Sequence, residues 1–578
     1  MASTNTQPRY PDFPEAGQKH RKIFDSTLLR ALQPVLPPGL DQAQFDRALS
    51  ELVKQLGADS VFVGEALRDY VDPFELWEVE GQRRIPSAAV LPRSVAEIQS
   101  VLQIARTYKL PLWTFSQGKN FGYGGPAPIV NGSVAVDLHR LNKIIKVDDQ
   151  LCYAVVEPGV SFLDMNDHCV KNGLKLWPSG PSLPWGSMIG NTLDRGMGFL
   201  PTGVHHHHIA GLEVLLANGE VIRTGQFAIS DSETAHLSKH SFGPSLEGLF
   251  IQSNLGIVTK MGIWLTPRPQ SYMFCKLQMP ERDDIKTIVD VLGPLRRNGV
   301  IDSTTWGGSA SEFIAMRFKR AEVWEGEGPI PDWRLRELLT KFGLGFWTVH
   351  FGLYGPEEVI KAHLNEIKKV VEEQAPTGKL TANLYSDKSA ELLTGDVLAE
   401  GDLDLFINKP GFQAMEVLKF NLPLDDTDCV PAHRDFAPIM PAVGATVLDW
   451  VKTSQEICEA EGFDLFCDFF LQERSVIFIY LTTLDKANEK QRKALEKITT
   501  RFHEEARKRK FAAYRTHILD MDRNAQAFDF NNHSYRRFVE TLKDTLDPRG
   551  ILSPGKQGIW PQRFRTGRTD NSGYNPSL

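Results

Sequence analysis

Chemistry is concentrated first in residues 113–125, where glycines stand at 118, 122, 124 and 125 beside Ser116, Lys119 and Asn120. Glycine admits positive φ and lets backbone N–H groups approach a ligand closely, so a loop of this composition suits a pyrophosphate. Alone it reads equally as a tight surface turn. The same small, polar and glycine-bearing chemistry recurs at 187–191, 253–260 and 554–558, which favours the ligand reading. A second concentration, 204–208, offers four adjacent histidines. Neighbouring residues cannot all turn nitrogens to one tetrahedral ion without distorting the backbone, so a native loop is expected there and no metal.

These segments need a scaffold to hold them. Ser94 and Glu97 form a capping-box pattern, and Val95, Ile98, Leu102 and Ala105 share one helical face behind it. Strands are predicted at 112–115, 133–138 and 152–157, with a hairpin over 211–224 that turns at Asn218-Gly219. Before them, 1–80 reads as an arm with short helices such as 42–56. From about 272 to 512 the pattern changes to longer helices, 356–374 and 485–509, interleaved with strands such as 475–483. The tail, 513–578, holds a helix at 534–546 and a further glycine loop whose composition predicts a return to the first region. A chain of 578 residues exceeds one ordinary core, so two or three domains are expected.

Bulk properties exclude some functions. A net charge of −7 without a long basic run argues against nucleic acid. Cysteines 152, 169, 275, 429, 458 and 467 are scattered without CxxC spacing, as for reduced thiols inside a cell. Residues 1–22 are polar with no apolar h-region, and nothing later is apolar enough to span a bilayer. An intracellular protein off the membrane is expected. The last residues, 575–578, resemble a degenerate peroxisomal address without its basic penultimate residue, which leaves cytoplasm or peroxisome.

The glycine loop, 211–219, 253–265, the run Tyr514-Arg515-Thr516-His517 and 554–561 together resemble the vanillyl-alcohol oxidase / p-cresol methylhydroxylase flavoprotein family, and within it the fungal vanillyl-alcohol oxidase branch. The resemblance runs from about 85 to 562. It implies an α+β protein with an FAD-binding domain in two parts, 81–271 and 513–578, and an inserted α+β cap over 272–512 that receives substrate. FAD would be held by Ser116, Gly118, Lys119, Asn120, Gly122, Ser187, Gly190, Asn191, Ile257 and Lys556.

In the family, residues matching Tyr123, Tyr514 and Arg515 bind a phenol as its phenolate. A free phenol has a pKa of about 10, so ionising it near pH 7 takes roughly 4 kcal/mol of differential stabilisation. One guanidinium and two hydroxyls, each giving a charge-assisted bond of about 1.5–3 kcal/mol, suffice together and not singly. Hydride then leaves the benzylic carbon for flavin N5 and a quinone methide remains. His433 matches the histidine that joins the flavin C8 methyl, although 68–77 lacks the assisting histidine of that branch; covalent and tight noncovalent FAD both stay open.

Two departures from the oxidase pattern stand out. Ser182 occupies the position of an aspartate beside flavin N5, while Asp468 appears where the methylhydroxylase branch carries an acidic base able to activate water. Asp435 replaces an aromatic that packs the substrate ring, which implies a wetter or wider pocket; Arg474 is also expected to face it. Pro181 matches a proline near the oxygen-facing side of the flavin and leans toward an oxidase. The short segment 226–243 predicts a homodimer that assembles no further. The leading expectation is an FAD-dependent oxidase of 4-alkylphenols and 4-hydroxybenzylic alcohols that releases hydrogen peroxide. The alternatives are a dehydrogenase of the same fold with another acceptor or a 2-hydroxy acid substrate, and a flavoprotein without turnover of the usual phenols.

Overall fold

The computed structural model describes residues 32–74, 76, 84–181, 184–315, 318, 320–386 and 431–565. Four short strands form the first sheet: β1 (Val61–Phe62), β2 (Ala88–Val90), β3 (Leu112–Phe115) and β4 (Val134–Asp137), in the order β1-β2-β4-β3. The central β2-β4-β3 pairings are parallel, and these strands are almost wholly apolar and buried, as a parallel sheet covered on both faces requires. Helix Val95–Tyr108 packs on it through Ile98, Val101, Leu102 and Ala105. Ser94 caps that helix by accepting from the Glu97 amide, whereas the Glu97 carboxylate accepts from Arg93 N, one residue earlier than a capping box would have it.

A second sheet takes β5 (Ile144–Asp148), β6 (Tyr153–Val156), β8 (Ile209–Leu215), β9 (Val221–Arg223) and β10 (Ile257–Trp264), in the order β5-β6-β10-β8-β9. The expected hairpin is β8 with β9, closed at Asn218-Gly219 with Gly219 at φ +92°. A small pair, β7 (Leu176–Trp177) with β11 (Thr266–Pro267), leads out of this region.

The remaining strands build one antiparallel sheet of eight: β12 (Ser271–Met279), β13 (Thr305–Ser309), β14 (Trp347–Gly355), β15 (Lys379–Ser386), β16 (Pro431–Pro441), β17 (Cys467–Leu471), β18 (Ser475–Asp485) and β19 (Ala512–Thr516). Their order is β15-β12-β14-β13-β17-β18-β16-β19. Helices Ile285–Arg297, Gly444–Ala460 and Glu489–Lys508 cover one face around Trp347, Trp450 and Phe502. Strand β19 carries the chain through Thr516 inside this sheet, and only afterwards does it cross to the first sheet, where Leu552 bridges Leu112. The predicted tail helix is regular from Ser534, after three left-handed residues at 531–533.

The tail is locked by a buried lysine. Lys543, fully inaccessible, pairs with Asp547 at 2.9 Å and donates to the carbonyls of Asn254 and Leu552, both at 2.7 Å. Breaking such a pair strands a charge and costs about 3–5 kcal/mol.

Candidate active site

Strand β3 delivers the chain into the glycine loop, and β16 lies directly against that loop. Gly122 has φ +78°, and a Cβ there would sit 2.5 Å from His433 Cε1 and 2.8 Å from Asp435 Oδ2. Only glycine fits both the conformation and the space. The contact is fastened by Asp435 N donating to Gly122 O at 3.3 Å. Across the loop, Gly190 leaves room for the Ser116 hydroxyl, which any side chain at 190 would strike. Ser187 caps helix Met188–Leu193, accepting from Gly190 N at 3.0 Å while donating to Pro158 O at 2.6 Å. Asn254 Nδ2 ties in the tail through the carbonyls of Ser553 and Ile559, each at 2.9 Å.

These segments enclose a cavity of about 380 Å³. Ser116, Gly118, Lys119, Asn120, Ser187, Gly190, Asn191, Ile257 and Lys556 line it, and so do Tyr123, Pro181, His433, Asp435, Asp468, Tyr514 and Arg515. Thr114 Oγ1 and Asn254 Oδ1, on residues that line the same cavity, are buried without a protein partner. Orphaned polar atoms beside a glycine cradle fit a polar ligand with a phosphate-bearing stem, as FAD is.

Tyr514 and Arg515 are consecutive, and in a regular strand they would face opposite ways. The pairing of β16 with β19 shifts register here: Ala437 opposes Arg515, yet Pro438 opposes Ala513, so Tyr514 is the unpaired residue of a bulge. Proline at 438 has no N–H to keep the ladder regular, and bulges of this kind re-aim side chains. Both residues consequently line the cavity. The Arg515 guanidinium stacks 4.3 Å above the Tyr123 ring. It also donates to Asn120 Oδ1, and its Nε lies 2.8 Å from Asp194 Oδ2 as an ion pair. Asn120 and Gln557 hold Asp194 in turn, each through a 3.2 Å bond. Burial opposes the charge on Arg515, but Asp194 and the two tyrosines outweigh it and raise its pKa above the ordinary value. Burial also raises both tyrosines, Tyr123 well above the usual range with Asp435 adding to it, so both remain neutral hydrogen-bond donors.

A different polar group lies on the strands opposite. Asp468, on β17, accepts from Trp306 Nε1 at 3.2 Å, and its other oxygen has no partner. Burial pushes its pKa up to about 8, against the Trp306 bond and with help from the Asp435 charge. Glu312 lines the same cavity at 2 % exposure, with Oε2 unpartnered. Burial, then the nearby Asp468, raises it well above the carboxylate range.

Asp435 is among the residues that line the cavity, and it has a partner there. It and His433 share one face of β16 at i and i+2, both are buried, and His433 Nδ1 donates to Asp435 Oδ1 at 2.7 Å. Arg474 is not among the residues that line the pocket: it occupies the exposed turn between β17 and β18, beyond Leu471 and at the opposite end of β17 from Asp468. Ser182 and Cys429 lie outside the described residues, as do 1–31 and the 566–578 end with its address-like residues. The histidine run forms a short 3-10 turn, His205–His208, entering β8. His205 is buried with its ring nitrogens 2.7 Å from Asn191 Oδ1 and from Ser179 O, and burial lowers its pKa to about 4. Among the described residues no cluster of His, Cys, Asp or Glu could hold a metal, and no helix is long and apolar enough to cross a membrane. Asp194, Glu312 and Trp306 were not anticipated. Only Asp194 left a signal, three residues past Asn191 at the end of a glycine-bearing segment.

Residues 86–225 match the FAD binding domain family and 444–557 the C-terminal domain of FAD linked oxidases. The flavoprotein subunit of 4-cresol dehydrogenase [hydroxylating] from Pseudomonas putida is 32% identical over 540 residues, covering 91% of this chain and 98% of that protein. Among solved structures, 4-ethylphenol oxidase from Gulosibacter chungangensis superposes with a TM-score of 0.84 at 31% identity, over 92% of this chain and all of the other. Substrate-bound p-cresol methylhydroxylase gives a TM-score of 0.83 at 30% identity, over 91% and 99%. The glycine cradle, the polar cavity and this similarity over about nine-tenths of the chain define an FAD-dependent oxidoreductase. The chain belongs to the vanillyl-alcohol oxidase / p-cresol methylhydroxylase family, and FAD is its cofactor.

Proposed function

We propose that this flavoprotein oxidises para-alkylated phenols at the benzylic carbon and adds water there, with molecular oxygen as the final acceptor. The observation that carries the reading is the convergence of Tyr123, Tyr514 and Arg515, from two distant chain segments, on one cavity. Relatives named for 4-cresol and 4-ethylphenol support the substrate class.

Bound FAD supplies the hydride acceptor. The chain supplies the rest. Arg515, fixed by Asp194 and Asn120, meets the phenol oxygen as a permanent cation, and the neutral tyrosines donate to it. Together they offset the roughly 4 kcal/mol needed to ionise the phenol near neutral pH. The resulting phenolate drives hydride from the benzylic carbon and leaves a quinone methide. Asp468 takes the proton from the water that adds. Its raised pKa makes it a base that is ready above about pH 8. His433, oriented by Asp435, would be the residue to hold the flavin covalently through its C8 methyl. Pro181 supports oxygen as acceptor, and the short 226–243 segment supports a homodimer.

Anaerobic mixing with a panel of 4-alkylphenols and 4-hydroxybenzylic alcohols tests the reading: the yellow flavin should bleach within seconds and recover quickly in air-saturated buffer. A flavin that no member of the panel bleaches refutes phenol oxidation. Recovery over minutes refutes oxygen as the acceptor.

A further inference from the structure

Glu312 has no role in that account, and its situation is costly. It follows β13 in helix Ala310–Ala315, four residues beyond Gly308, which pairs directly with Asp468 across the β13–β17 ladder. Its side chain is almost wholly buried, its Oε2 is unpartnered, and both it and Asp468 line the substrate cavity. A buried polar atom without a partner costs about 1–3 kcal/mol, so an apolar residue at 312 would favour the fold. Phe466 and Phe470 line the same cavity, as do Trp306, which bonds Asp468, and Ile479, which pairs with Asp468 across β17 and β18. Glu312 Oε2 and Asp468 Oδ1 both lack a partner although their residues line one cavity, and a single water between the two carboxyls would supply one.

We propose that Glu312 is the second carboxyl of a water site shared with Asp468, and that it holds the water which adds to the benzylic carbon. The inference rests on the phenol reading above. In this step the water oxygen forms a C–O bond to the benzylic carbon. The exocyclic electron pair returns to the ring and restores the phenolate beside Arg515, and the released proton passes to Asp468. No oxidant or reductant is consumed. Glu312 keeps its own proton, because burial and the adjacent Asp468 both disfavour its charge, and it acts as a positioning residue through hydrogen bonding.

A quinone methide derived from 4-ethylphenol either adds water, giving the benzylic alcohol, or loses a proton, giving 4-vinylphenol. The ratio of the two products per flavin reduced therefore reports on the water site, whatever the rate of reduction. The holoenzyme is expected to give mainly alcohol. Glu312→Leu, which removes the hydrogen bond to water, should shift the ratio toward vinylphenol by about tenfold or more. Glu312→Gln keeps an acceptor oxygen and should stay within about twofold of the parent. A ratio unmoved in Glu312→Leu, a Gln variant that behaves like Leu, or a parent enzyme giving only vinylphenol overturns the assignment. A crystal structure of the holoenzyme with no water between Glu312 and Asp468 overturns it as well, without recourse to variants. Failure of every phenol to bleach the flavin refutes the phenol reading, a result distinct from bleaching with an unchanged ratio.

Discussion

The two polar groups that line the cavity are built on opposite electrostatic plans. Around Arg515 each charge already has a partner: Asp194 faces the guanidinium, Asn120 and Gln557 hold Asp194, and the Tyr123 ring lies under the cation. Around Asp468 and Glu312 one oxygen of each carboxyl is left without a partner, Trp306 bonding the other oxygen of Asp468, and burial raises both carboxyls well above their ordinary range. The contrast separates two tasks. A group that must stay charged throughout turnover is neutralised in advance, so binding an anion costs little reorganisation. A group that must exchange a proton is left without a permanent counter-ion, so its pKa lies near the working pH.

The contrast breaks most visibly at Arg515. Arg515→Ala removes the cation and leaves Asp194 unpaired, and anaerobic stopped-flow should show flavin reduction slowed by roughly two to three orders of magnitude. A loss no larger than that of Asp468→Ala would mean the phenolate end is misassigned. Removing one neutral donor is milder: Tyr514→Phe should slow reduction by about tenfold, the worth of one hydrogen bond. Asp435→Asn sharpens the comparison from the side, since it replaces the acceptor that aligns His433. Acid-precipitated variant should retain several-fold less yellow colour than the parent, and equal colour would divorce Asp435 from flavin attachment.

The smallest effect is on stability. The folded pKa of Asp468 is raised from the ordinary 3.8 to about 8, so its contribution to stability is complete below the lower value and is lost as pH rises through the upper one. Asp468→Asn has no charge to bury. Its melting temperature should therefore exceed the parent's by a few degrees at pH 9, with the gap closing toward pH 5. A gap that widens on acidification would contradict the protonated carboxyl.

Much of this was legible in residue types. Glycine at 122 and at 190 announces close approach, because each position admits no side chain, and helices such as Gln42–Leu56 follow from apolar spacing and a capping residue. Tyr514 and Arg515 were readable as a pair only through resemblance, since adjacent strand residues should diverge; the bulge that unites them depends on a register shift against Pro438 that one strand alone does not reveal. Asp435 was read as a polar residue of the pocket wall and it does line the cavity; a two-residue look back would have added its partner, because His433 shares its strand face. Arg474 was misjudged because it sits in the turn that reverses β17 into β18, which leaves it in solvent. Glu312 left no local signal at all. Its meaning comes from a neighbour 156 positions away across the β13–β17 ladder.

The inaccessible lysine of the tail carries a consequence for biosynthesis. Its ammonium group stitches the carbonyl of Asn254 to that of Leu552, and the first of these leaves the ribosome almost three hundred residues before the second. The nucleotide cradle is therefore finished last, after the whole intervening eight-stranded unit has been made.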